Sequence, residues 1–316
     1  MDSRDLITGN KTVHLMGTTI KLTIIHRNPQ QILDKVVSLL EKYEGRFSAN
    51  DSRSELSEVN HKAGIEPVQV HPEIYDLIEI GRKHSLAKNS LLNIAIGPLI
   101  QTWRIGFNDA RVPSSDEIEG LLPQIDPNHI QINPEKQTVF LTQKEMAIDL
   151  GALAKGYIAD RIIDYLQEVG VHSALINLGG NLVTFGPALN RADHQWRVGI
   201  QNPVKTRGNI QFILKVQNKS VVTSGIYERK LEQNGQTFHH IFDSKTGYPI
   251  ETNTASLTIV SDLSIDGEIW TTRLYGQPIE QIIKTLNETK GIDGLAISTE
   301  GKVAYSEGMK DLLDQT

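Results

Sequence analysis

The sequence predicts an α+β fold, with mixed or antiparallel sheets and flanking helices. Three observations carry this. Some segments repeat apolar residues at helical spacing while others alternate apolar and polar. Two stretches have the form of hairpins, which makes their strands antiparallel. Strands and helices are mixed without regular β-α-β alternation, which disfavours a doubly wound parallel sheet.

"MGTTIKLTII", residues 16–25, alternates as a half-buried strand does. Residues 30–44 carry Ile32, Val36, Leu40 and Tyr43 on one helical face, with Gly45 suited to the stop. "RFSANDSRSELSEVN", residues 46–60, is polar and turn-rich and reads as a surface loop. A second helix starts at Pro72, a residue favoured at a first helical position, and runs to about Leu86. "LLNIAIGPLIQTWRIG" is an apolar core stretch broken at Gly97–Pro98. Ser114 and Glu117 form a capping-box pattern at the head of a short third helix.

"HIQINPEKQTVFLT" reads as one hairpin, and "ALINLGGNLVTF" as another, turning at Gly179–Gly180–Asn181. Between them, "IDLGALAKGYIADRIID" reads as a strand end, a glycine turn and a helix starting near Gly151. Further strands are expected at 196–201, 211–217, 237–242 and 255–260, two helices near 267–288, and short strands at 294–298 and 302–305.

The chain has 316 residues, is 39% hydrophobic and 22% charged, and carries a net charge of −6. That composition is an ordinary globular one, and the acidic balance argues against a nucleic-acid partner. No linker, repeat or low-complexity segment divides it, so one domain over 1–316 is expected, as one body or two lobes. No run reaches the roughly 18 apolar residues of a membrane span. With no cysteine, thiolate metal sites, disulfides and lipid-anchored cysteines are excluded. "MDSRDLITGNK" has no secretory-signal pattern, so the chain as given is expected in the cytoplasm; a removed leader would make it membrane-associated or extracytoplasmic.

Chemistry concentrates in four places. Asp149, Ala152 and Lys155 are spaced three apart at a turn feeding a helix, where amides and a lysine could hold phosphate oxygens. On these residues alone, a buried Asp–Lys pair and a ligand site are both open. "GALAKGY" is not a Walker loop and "LGGN" is not a dinucleotide fingerprint; the double glycine reads as a tight turn. His239 and His240 alternate across a strand, so only one of them can face a given site. Glu268 and Thr272 share a helical face and could hold a hard cation such as Mg²⁺, although Asp266 and Glu268 would also suit a helix start.

In order along the chain, "MGTTIKLTI", "FSANDSRSELSEVN", "NIAIGPLI", "DLGALAKGYIADRI", "INLGGNLVTFG", "TSGIYER" and "HHIFDSKTGYP" resemble the successive motifs of the FAD:protein FMN transferases, the ApbE family. The resemblance spans about residues 13 to 300. It implies a Mg²⁺-dependent enzyme that cleaves FAD, attaches FMN to a threonine or serine hydroxyl of an acceptor flavoprotein and releases AMP. The family's acceptors are typically redox-complex subunits or flavoprotein reductases.

Carried over by motif, Met16, Leu91, Leu92 and Asn93 would contact the flavin or adenosine part of FAD, and Asp149 and Lys155 would hold it. The carbonyl of Ala152 would bind the metal. His240 falls beside the active site, and it or Asp149 would be the base. The family's metal-binding aspartate, followed four residues later by threonine, corresponds here to Glu268 and Thr272, a glutamate replacing the aspartate. A register using Asp266 would put Trp270 on the threonine, and tryptophan cannot bind Mg²⁺. Two alternatives share these motifs: FAD hydrolysis to FMN and AMP, and FAD binding without turnover.

Overall fold

The structure is a computed structural model describing residues 6–314 apart from 207, 228 and 234. The reading of the amino terminus therefore rests partly on residues 1–5, outside the described set, as does Glu228 of "TSGIYER". The chain opens with β1 (Ile7–Leu15) and β2 (Thr18–His26), antiparallel and joined by Met16 and Gly17, whose φ values are 53° and 66°. Met16 thus sits in a tight hairpin turn rather than in the expected strand, and β1 is an element the pattern did not reveal.

Helix α1 (Pro29–Phe47) does not stop at Gly45. Phe47 stacks on Tyr43 at 5.6 Å and stays buried, so core packing carries the last turn past the glycine. The expected surface loop contains α2 (Glu55–His61), capped by Ser54, which accepts from the Ser57 amide, with Leu56 and Val59 in the core. Then follow β3 (Val68–Gln69), α3 (Pro72–Ser85) and α4 (Gly97–Trp103). Gly97–Pro98 starts this last helix, since proline suits a first turn. α5 (Ser115–Leu121) has the capping box expected from Ser114 and Glu117.

β4 (Ile130–Asn133) and β5 (Thr138–Leu141) form the first expected hairpin, with β3 added beside β5. α6 (Ala154–Glu168) leads to the second hairpin, β6 (Ser173–Leu178) and β7 (Asn181–Phe185), whose turn glycines 179 and 180 both hold positive φ. β8 (Trp196–Gln201) and β9 (Ile210–Val216) make a separate pair, and β10 (Ser220–Gly225) rejoins the main sheet. β11 (Lys230–Gln233) pairs with β12 (Gln236–His239), and β13 (Phe242–Asp243) with β14 (Tyr248–Pro249). The strand expected over 237–242 is therefore divided at His240, where the chain changes partners. β15 (Thr254–Ser261), α7 (Ser264–Leu274), α8 (Ile279–Glu288), β16 (Ile292–Ser298), β17 (Val303–Tyr305) and α9 (Met309–Leu312) complete the described chain.

The main sheet has eight antiparallel strands in the order β1-β2-β6-β7-β10-β15-β16-β17. Every residue of β15 is buried. Leu257 and Ile259 pack with Leu274, Ile282 and Leu286 of α7 and α8, while Val260 packs with Val198, Ile200 and Leu214 of β8 and β9. A strand covered on both faces loses the polar alternation that marks a half-exposed one. The largest core joins α1, α3 and α6 to β2 and β6. Helix α7 runs beside α6, and that contact creates the site.

Candidate active site

The turn before α6 is held from several sides. Asn60 of α2 donates to the Ile148 carbonyl at 3.0 Å and accepts from the Ile148 amide at 2.7 Å. The Asp149 amide donates to the Ile94 carbonyl at 2.9 Å, and the Asp149 carboxylate accepts from the Gly151 amide at 2.8 Å. Helix α6 starts at Ala154, three residues later than expected, because Asp149 folds Gly151–Leu153 into a turn of its own. Among the described residues no hydrogen bond reaches the Ala152 carbonyl, and the amides of Lys155 and Gly156 have no carbonyl partner. Burial raises the Asp149 pKa, opposed by the Gly151 amide and the charge of Arg229.

Helices α6 and α7 touch at Gly156. A Cβ there would stand 2.7 Å from the Ser264 carbonyl and 2.8 Å from Glu268 Cγ, so only glycine permits this approach. One turn further along α6, the Asp160 carboxylate accepts from the amides of Ser264 at 2.7 Å and Ile265 at 2.9 Å. Helix α7 has no side-chain cap of its own, so Asp160 serves as one from a neighbouring helix. Burial pushes the Asp160 carboxyl up to about 6 against the lowering effect of these two amides.

This crossing brings Lys155 to Glu268. Lys155 Nζ lies 3.0 Å from Glu268 Oε1, and Asn181 Nδ2 donates to the same oxygen at 3.0 Å. Glu268 is 4% exposed. Asn181 is anchored in turn by Ser264, whose hydroxyl donates to Asn181 Oδ1 at 2.8 Å. Of the two readings left open for Asp149 and Lys155, the Asp–Lys pair is not the one formed among the described residues, since the partner of Lys155 is Glu268 on another helix. Asn181, read only as a turn residue, was missed; its position directly after the double glycine was the available signal. Asp266 lies in the first turn of α7, where burial and then Asp262 raise its pKa; it is Glu268 that meets Lys155. Thr272, one turn on and partly buried, makes no hydrogen bond through its hydroxyl among the described residues. The adjacent Thr271 is fully buried and donates to the Glu268 carbonyl.

His240 lies at the junction of β12 and β13, with Nδ1 3.2 Å from the Arg229 carbonyl. A carbonyl only accepts, so Nδ1 carries the proton and Nε2 keeps its lone pair. Burial lowers the His240 pKa to about 4, with the charges of Arg229 and Lys155 acting the same way. His239 points elsewhere, its Nε2 2.9 Å from the Ile250 carbonyl. The Thr-Gly-Tyr-Pro turn beyond it is structural. Trp103 Nε1 donates to the Gly247 carbonyl at 3.1 Å, and the indole packs on Phe238, Phe242 and Tyr248.

The remaining expected residues are less concentrated. The Met16 amide, at the β1–β2 turn, donates to Glu44 Oε1 at 2.6 Å. Leu92 is 1% exposed and packs in the core, and the Asn93 side chain is used by the Ile125 carbonyl and the Ala95 amide. Of this segment, Leu91 is left with a partly exposed apolar side chain, its amide 3.4 Å from the Arg273 carbonyl beside Thr272. A cleft of about 330 Å³ opens next to the Asp149 turn, lined by Asn50, Asn60, Gln101, Arg104, Phe107 and Ala147 among others. Asn50 and Asn60 come from the stretch read as a plain surface loop.

Among the described residues no three or more His, Asp or Glu side chains cluster as a metal site. Ala152, Glu268 and Thr272 are a different donor set, a carbonyl, a carboxylate and a hydroxyl. All are oxygens, and among the described residues the carbonyl and hydroxyl make no hydrogen bond, which suits a hard cation such as Mg²⁺. No described helix is long and apolar enough to cross a membrane.

The sequence profile of the ApbE family matches residues 16–296. A FAD:protein FMN transferase of Klebsiella pneumoniae (strain 342) is 37% identical over 292 residues, 92% of this chain and 90% of the relative. One from Treponema pallidum (strain Nichols) is 33% identical over 312 residues, 94% of this chain and 86% of the relative. The crystal structure of the ApbE protein from Thermotoga maritima MSB8 matches with a TM-score of 0.89 at 24% identity. It covers 98% of this chain and 100% of that one, and so shares the fold.

Proposed function

The chain belongs to the ApbE family, and we propose that it is a Mg²⁺-dependent FAD:protein FMN transferase. Its relatives in Klebsiella pneumoniae and Treponema pallidum bear the name FAD:protein FMN transferase, which supports a flavin-transferring enzyme acting on an acceptor flavoprotein. The observation that carries the reading is the Lys155–Glu268 contact, with Ala152 three residues before Lys155 in the turn that leads into α6. It joins a cation and a buried carboxylate at one helix crossing, and with the Ala152 carbonyl, which accepts no hydrogen bond among the described residues, it supports a site for a diphosphate and its metal.

In the proposed reaction a threonine or serine hydroxyl oxygen of the acceptor bonds to the FMN-side phosphorus of FAD. The P–O–P bridge breaks, and AMP leaves with the bridging oxygen. The hydroxyl proton passes to a base. His240 suits that task, being neutral at pH 7 with Nε2 unprotonated, and Asp149 is the second candidate. Lys155 offers a point charge to the phosphate oxygens. Ala152, Glu268 and Thr272 would hold Mg²⁺, which when bound neutralises charge on the diphosphate. Met16 and Leu91 are proposed to contact the flavin or adenosine part of FAD, joined through their backbone by Leu92 and Asn93.

The test is incubation with FAD, Mg²⁺ and a candidate redox-subunit or reductase acceptor, followed by mass spectrometry for FMN on the acceptor. An FMN adduct supports transfer. AMP release without an adduct indicates hydrolysis, and FAD recovered intact indicates a binding protein.

A further inference from the structure

One charged side chain over this site has no role in the reaction as described. Arg229 follows β10, in the loop before β11, and is exposed to solvent. Its Cδ runs 2.9 Å from where a Cβ on Gly106 would stand, and its Nη2 ends 3.8 Å from the corresponding point on Gly17. Both glycines hold positive φ, 94° and 66°. The side chain therefore spans from the segment after α4 to the β1–β2 turn, passing two positions that carry no side chain of their own. Among the described residues Arg229 makes no ion pair. Its charge reaches both Asp149 and His240, and its carbonyl fixes the His240 ring.

We propose that Arg229 is a phosphate-binding residue of this site, laid from Gly106 to Gly17 so that its guanidinium and Lys155 together hold the diphosphate of FAD. This rests on the flavin-transferase reading. A guanidinium presents parallel N–H donors that match two phosphate oxygens, whereas an ammonium offers only a point charge. An arginine that bonds no carboxylate among the described residues, and whose charge acts on the same His240 as that of Lys155, is arranged for a doubly charged ligand. The loop thus does two things at once. Its backbone orients the proton acceptor, and its side chain meets the anion on which that acceptor's reaction occurs.

The test uses the full chain with Mg²⁺ and three probes, ADP, adenosine and riboflavin, titrated into wild type, Arg229→Ala, Arg229→Gln and Arg229→Lys. Expected for Ala and Gln is a tenfold or greater loss of ADP affinity with adenosine and riboflavin unchanged within twofold, and for Lys an intermediate loss. ADP binding that is unchanged in Arg229→Ala and Arg229→Gln overturns the proposal, as does an equal loss for all three probes in both variants, the signature of a packing residue. Wild type that binds neither ADP nor FAD removes the flavin-transferase reading itself. Wild type that binds them while the variants match it removes only the role of Arg229.

Discussion

Lys155 of α6 and Glu268 of α7, separated by 113 positions in the sequence, meet at 3.0 Å with Glu268 almost wholly buried. A buried carboxylate needs a compensating charge or a metal, and a lysine at the head of a helix opposes the positive end of its dipole. In the proposed function the pair forms two halves of an anion-and-cation site joined by the α6–α7 crossing.

Removing Lys155 leaves Glu268 with Asn181 as its partner. Lys155→Ala should weaken FAD binding by at least tenfold and lower stability by about 1–3 kcal/mol, the cost of an under-satisfied buried acceptor. The double variant Lys155→Ala, Glu268→Gln should recover part of the stability and none of the FAD binding. Urea denaturation and equilibrium titration with FAD measure the two effects separately.

Glu268→Ala should abolish the dependence of FAD cleavage on Mg²⁺, seen as the loss of a saturable Mg²⁺ titration. Glu268→Asp, which restores the residue type of the family pattern, should keep it. Undiminished Mg²⁺-dependent activity in the alanine variant would reject the metal assignment.

His240→Ala should reduce kcat by roughly 10²–10⁴, the usual contribution of a general base, while FAD affinity stays within a few-fold. The low pKa of His240 sets the pH profile. Activity requires the unprotonated ring, so the acidic limb should fall near pH 4, well below the ordinary histidine range. A limb at about 6.5, or none that changes in the variant, would remove His240 from this role.

Asp160 predicts a stability effect of unusual sign. Its folded-state pKa, about 6, lies above the value in an unfolded chain. The folded protein therefore binds the proton more readily between about pH 4 and pH 6, and this group's contribution to stability falls as pH rises through that window. The stability of wild type relative to Asp160→Asn should decline over the same interval and level off above it. Thermal melts of both proteins across pH 4–7 measure this. Asp160→Ala should also lower FAD turnover, because the helix bearing Glu268 loses its cap.

Much of the candidate site was legible because its residues lie in short ordered patterns. Asp149, Ala152 and Lys155 lie three apart across the entry to α6, and Glu268 and Thr272 share one helical face, so spacing alone grouped each set. Asn181 and Asn60 were not legible. Each acts through a single contact to a distant segment, Asn181 on Glu268 and Asn60 on Ile148, and a lone asparagine among turn residues carries no period. The capping box at Ser114 was read correctly because both partners are three residues apart. The stop at Gly45 failed because Phe47 is held by Tyr43 and the core, a tertiary effect that outweighs local preference.

The sequence by itself determined the α+β class, most of the helices and hairpins, and the ordered motifs that resemble the ApbE family, since these depend on neighbours a few residues apart. Only the tertiary structure decided that Lys155 answers Glu268 rather than Asp149, that Asp160 caps a helix not its own, and that Arg229 reaches from Gly106 to Gly17. Each of those depends on how closely two distant backbones approach, and at α6 and α7 that distance is set by the missing side chain of Gly156.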